Sequence, residues 1–190
     1  MAGAFRVGIL TFFLTISLSV LFQLAQVWTA FWVSVLVLLV VVFFGILFDI
    51  IGTATTAASE KPFHAMASDR VPGAKKGVEL VRKADRVANF CNDVVGDICG
   101  TVSGSIGAAL VITFVTNHEL TAYRDLISLL VVGVISALTV GGKAAGKAFA
   151  LKRSTAILLR VAVLLEKIDA LRGRWSNRGK NKKEKRECAK

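Results

Sequence analysis

The chain has 190 residues, 54% of them hydrophobic, with a net charge of +11 and only two prolines, and its mean hydropathy is +0.63. A soluble domain must clothe itself in polar residues, so this balance excludes water as the solvent for most of the surface. The basic residues sit beside the apolar runs and in the last stretch of chain, which points them at anionic lipid head groups rather than at nucleic acid.

The apolar residues form continuous runs, whereas a membrane barrel would show short strands of period two. An all-α polytopic membrane bundle is therefore expected, with about four transmembrane helices and amphipathic juxtamembrane helices. The first run extends from Val7 to about Leu24, after Arg6. It reads as a retained span rather than a cleaved signal peptide, because its apolar core is longer than the usual h-region. Residues 1–30 thus supply an N-terminal helix and an uncharged outer turn from Gln23 to Ala30. The second run, Phe31 to Ile51, has no charge before Asp49, and Trp28 and Trp32 stand where an aromatic belt belongs. From Glu60 to Arg86 the chain becomes charged, with Ala74, Val78, Val81 and Val87 at helical spacing, which predicts one or two amphipathic helices on the inner membrane face.

The third run, Asn89 to about Thr116, and the fourth, Leu126 to about Ala150, flank the polar loop Asn117 to Asp125. Excess Lys and Arg before the third run, after the fourth and at Arg6 puts both termini on the cytoplasmic side of a cell membrane. Beyond Lys152, Ile157, Leu158, Val161, Leu164, Leu165 and Ile168 recur in a helical pattern that lies along the membrane or packs under the bundle. Residues 171–190 are dominated by Lys and Arg and are expected to be a disordered basic cytoplasmic tail, drawn to anionic lipids.

Nothing in the sequence argues for an enzyme or an organic cofactor. Cys91, Cys99 and Cys188 have no metal-ligand spacing and read as free thiols. No Gly-rich phosphate loop or catalytic triad is present, and His64 and His118 fall on opposite sides of the membrane in this topology.

A charge inside a bilayer costs at least about 2.5 kcal/mol on insertion scales, so it persists where it has a partner or a job. Asp49, Asp93, Asp97, Lys143 and Lys147 all belong to the inner half of the bundle. Asn89, Asn92, Asp93, Gly96, Asp97, Gly100, Ser103, Gly104 and Gly107 repeat at three and four, which gathers small and polar residues on one face of the third helix. Two readings compete. In one, Asp49, Asn92, Asp93 and Asp97 surround a hard divalent ion. In the other, the aspartates neutralise Lys143 and Lys147 and lock the bundle.

The order of elements, with Asp49-Ile50-Ile51-Gly52-Thr53-Ala54, Gly73-Ala74, Asp85-Arg86 and Gly142-Lys143-Ala144-Ala145-Gly146-Lys147, resembles the transmembrane domain of the cyclin M and CorC/CorB magnesium transporter family. The four segments lie over that family's Phe-Phe-Ser-x-x-Glu-x-Ala, Gly-x-x-Gly-Ala, Asp-Arg and Gly-Glu-x-x-Pro-Lys patterns. The resemblance covers Phe31 to about Ile168, and so residues 31–170 as a domain, with no nucleotide-binding regulatory module expected. It implies divalent cation transport, magnesium first, by a homodimer that works through alternating access. Its ion site would be Asp49, Asn92 or Asp93, Asp97, and the backbone carbonyls of Gly141 and Gly142. The family's coordinating serine falls on Asp49, its acid on Lys143 and its proline on Gly146. The rival from another class is a non-transporting scaffold or accessory subunit with an internal Asp-Lys ion-pair network.

Overall fold

The computed structural model describes residues 2–28 and 31–187, and among them the chain is helical throughout, without a strand. Thr29, Ala30 and Cys188 lie outside the described residues. Four long helices form the body: α1 (Ala2–Trp28), α2 (Phe31–Ala57), α6 (Gly96–Asn117) and α7 (Arg124–Lys152). Between α2 and α6 come the short helices α3 (Glu60–Ser68), α4 (Ala74–Arg82) and α5 (Ala84–Ala88), then a π-helical turn, Asn89–Val95. The chain ends in α8 (Ser154–Glu187).

Three stretches are long and apolar enough to cross a membrane: Phe31–Ala57, the continuous Ala84–Asn117, and Arg124–Lys152. Within α1 the described apolar stretch is Thr11–Phe22. Large apolar side chains stand uncovered along these helices, among them Phe12, Phe13, Leu36, Leu129, Leu138 and Val140. An apolar surface of this extent suits lipid or a protein partner rather than water. The second, third and fourth helical runs extend past the expected C-terminal ends, because nothing there stops a helix before Ala57, Asn117 or Lys152.

Glycine sets how closely the long helices approach. A Cβ on Gly45 would sit 3.0 Å from the Cys99 Cβ, and one on Gly52 would strike the Asn92 amide, so α2 and α6 run antiparallel and nearly backbone to backbone. On the other side Gly142 faces Ile46, and Gly146 faces Ile50 at 2.7 Å, so α7 lies parallel to α2. Gly107 receives Ile135, which closes the α6–α7 contact. Leu38, Ile98, Val102, Ile106, Leu110 and Ile135 fill the core between them. At the far end Phe31, Phe114 and His118 stack, with Phe114 and His118 ring centroids 4.6 Å apart. His64 lies on α3 and so at the other end.

The charged segment folds into a helical cap rather than a flat surface helix. Ser59 caps α3 by accepting from the Lys61 N–H, and Pro62 is tolerated in the first turn, where no intrahelical donor is needed. Arg70, at φ 57, and Pro72 end that helix. Gly73, at φ +80, then reverses the chain so closely against α8 that a Cβ would lie 2.8 Å from the Val163 backbone nitrogen. Phe63 is completely buried on Gly77, and Ala54, Thr55, Ala74, Leu158 and Ala162 are sealed in the same way. Thus α8 packs under the bundle, against α2 and α4. It also continues as helix to Glu187 instead of giving way to a disordered tail at Arg172. Lys, Arg and Glu carry little helix penalty, so composition alone does not end it.

Surface charges tie the cap together. The Gly73 N–H donates to Glu166 Oε2 at 2.6 Å, and Lys76 bridges Asp169 at 3.0 Å and Glu79 at 3.3 Å. Glu60 pairs with His64 and with Arg82, each at 3.2 Å. Hydrogen bonds from His64 and then Arg82 hold Glu60 below its ordinary pKa, and Lys83 and then Lys76 do the same for Glu79. Asp169 first, then Glu79, raises Lys76. The lowered carboxylates contribute stability that is lost as pH falls through their folded pKa values, and the raised lysine contributes stability that is lost as pH rises through its own. The melting temperature of the full chain should therefore be flat through neutral pH and fall modestly at both the acid and the strongly alkaline ends. Thermal unfolding across pH measures this, and a melt unchanged in acid would show that the ties add nothing.

Candidate functional site

Asp49 stands on the buried stripe of α2, which reads Ser34, Leu38, Val42, Gly45, Asp49, Gly52. Steps of three and four residues keep such positions on one helix face, so the carboxylate is carried into the interface with α6 and α7. Its side chain is 4% exposed, and Lys147 Nζ reaches Oδ2 from α7 at 3.9 Å while its own side chain is 53% exposed. That distance makes an ion pair but no hydrogen bond, and Oδ2 is left without a hydrogen-bond partner.

Asn92 comes from the π-helical turn. Cys91 and Gly96 are both buried, a step of five residues that ordinary α winding would split between faces. The wide turn instead lays the Asn92 amide over Gly52, one turn along α2 from Asp49. Asn92 Oδ1 is also buried without a hydrogen-bond partner. The α2 stripe thus carries one orphaned oxygen at Asp49 and has a second laid over it at Gly52, and an unmet buried acceptor costs about 1–3 kcal/mol. Lys143 Nζ lies over Gly96, 3.4 Å from where its Cβ would be, and has no carboxylate at ion-pair distance among the described residues.

Asp93 and Asp97 are placed elsewhere. Both are exposed and border a cavity of about 460 Å³ that α1 lines with Gly8, Thr11, Phe12, Thr15 and Ile16. The expected single face of small and polar residues on the third helix is in fact divided. Gly96, Ser103 and Gly107 are buried, Asp93 and Asp97 turn to α1, and Gly100 and Gly104 meet nothing within 4 Å. One extra residue in the π turn advances the helix by about 100°, enough to separate Asn92 from its neighbours. Gly141 also faces open space, and α7 is unbroken there, so the carbonyls of Gly141 and Gly142 serve the helix's own ladder. Thr11 and Thr15 were not singled out by sequence, although two hydroxyls four apart in an apolar run are the signal that marks them. Comparison of the chain with protein-family models, with curated proteins and with solved structures finds no match.

Among the described residues, no three His, Cys, Asp or Glu side chains gather as a metal cluster. A closed site for zinc needs three or four such ligands. What Asp49 and Asn92 offer is one carboxylate oxygen and one amide oxygen, both buried, the second packed directly on Gly52. Hard cations that retain part of their water shell accept this kind of set.

Proposed function

We propose that this chain is a membrane protein that carries a small hard cation, magnesium first, across a cell membrane, with Asp49 and Asn92 as its contact oxygens. The observation that carries the reading is the pair of buried acceptors without a hydrogen-bond partner, Asp49 Oδ2 and Asn92 Oδ1. Magnesium binds through one or two carboxylates and keeps several waters, which suits so sparse a donor set. The resemblance to the cyclin M and CorC family supports the same ion, a homodimer and alternating access. The Lys and Arg excess at the capped end supports cytoplasmic termini, four spans and attraction of the α8 terminus to anionic lipid. Asp93 and Asp97 enter this proposal only as lining of the α1 cavity.

A second reading, a non-transporting scaffold or accessory subunit, is favoured by the Lys147–Asp49 pair, which already neutralises the buried carboxylate. Calorimetry of magnesium binding to the purified full chain separates the two. Transport predicts saturable binding that Asp49→Asn reduces at least tenfold while the variant still melts cooperatively. Wild-type protein that takes up no magnesium would remove the transport reading and leave the scaffold.

A further inference from the structure

The ion pair at the site is lopsided. Asp49 is sealed between helices, whereas the ammonium that faces it belongs to a side chain more than half uncovered, near the end of α7. The contact of 3.9 Å is electrostatic only, and Asp49 Oδ2 keeps its hydrogen-bonding capacity unused. A partner evolved purely to lock a bundle would dock at hydrogen-bond distance and be buried with its acid, because the attraction must offset the desolvation of both ions. Lysine is a compact charge on a flexible four-carbon stem, and this one has open space on its outer side into which it can swing.

We infer that Lys147 is a tethered competitor for the cation site: its ammonium occupies Asp49 when no ion is bound and is displaced when one enters. The inference rests on the cation reading above and adds how that site is regulated. An ion arriving at Asp49 meets a carboxylate already half satisfied, and the lysine refills the position when the ion leaves. The buried charge is never bare at any stage of the exchange. A divalent ion and the Lys147 ammonium cannot both hold one carboxylate, which makes departure of the exposed lysine the necessary step. The exchange also sets affinity: if the lysine holds Asp49 about nine-tenths of the time, apparent cation affinity is about tenfold weaker than intrinsic affinity.

The test is magnesium calorimetry on the full-length protein in lipid nanodiscs, comparing wild type with Lys147→Met and Lys147→Arg, each checked by thermal unfolding. Lys147→Met is expected to bind magnesium about tenfold more tightly than wild type, and Lys147→Arg, which keeps a tethered cation, to stay within a few-fold of it. Because the methionine variant strips a counter-charge and could fold poorly, a second measurement uses wild type alone. Amine-reactive labelling of Lys147, read by mass spectrometry against Lys152 on the same helix, should become several-fold faster at saturating magnesium. Wild type that binds magnesium while Lys147→Met binds no tighter, or while Lys147 labelling is indifferent to magnesium, overturns the competitor and leaves the cation site standing. Folded wild type and folded Lys147→Met that both fail to bind overturn the two together.

Discussion

Replacing Phe63 by alanine should cost about 3–5 kcal/mol, the range for removing a fully buried aromatic ring, and should loosen the cap while leaving the long helices paired. Phe63 has no exposed surface, and its ring fills the hollow that Gly77 leaves on α4. No other aromatic side chain is buried in the cap among the described residues, so no neighbour can move in to refill the space. The polar ties around it, Glu60–Arg82, Lys76–Asp169 and Lys83–Glu79, stand at the surface, where solvent screening leaves such pairs little net stability. They cannot hold α3 and α4 in place once the ring is gone. Limited proteolysis reads the effect directly: cleavage near Arg70, Lys75 and Lys83 should accelerate strongly in Phe63→Ala, while sites in α2 and α6 stay protected. A proteolysis pattern equal to that of wild type would mean that the cap is held by its charges or by the bundle above it.

Much of this architecture was legible because lipid-facing helices announce themselves by length and uninterrupted apolarity. The runs beginning at Phe31, Asn89 and Leu126 correspond to α2, the π turn with α6, and α7, the first two starting at the expected residue and all three ending one to six residues later than expected. Asp49 was legible for the complementary reason, as a lone charge in an apolar run, and it is indeed buried on the protein side. The grouping of the acids was not legible. A strict period of 3.6 puts Asn92, Asp93, Gly96 and Asp97 on one face, and no residue type encodes the extra residue of the π turn. Only the burial of Cys91 and Gly96, five apart, reveals it. The cap was half legible. The mid-helix Gly77 costs about 1 kcal/mol in helix propensity and so signals a close neighbour, but it does not say that the neighbour is Phe63.

The buried member of the ion pair is the acid, not the lysine. If the lysines were the buried members, removing Asp49 would be the damaging change. In the structure Asp49 is 4% exposed and Lys147 53%. Loss of the lysine therefore strands a sealed carboxylate, whereas loss of the carboxylate frees an ammonium that can extend to the interface about one turn beyond. Breaking a fully buried pair from one side costs about 3–5 kcal/mol, and the long, half-exposed contact here discounts that to about 2–3 kcal/mol for Lys147→Ala. Asp49→Asn keeps the shape and leaves no buried charge, so its cost should stay below about 1 kcal/mol. Thermal unfolding of both variants in the same detergent measures the order. Magnesium should partly restore the Lys147→Ala melting temperature and leave that of Asp49→Asn unmoved, because a ligand stabilises only the folded state that can bind it. The reverse order, with Asp49→Asn the weaker fold, would mean that the carboxylate is needed as a strut for α7 rather than as a seat for a cation.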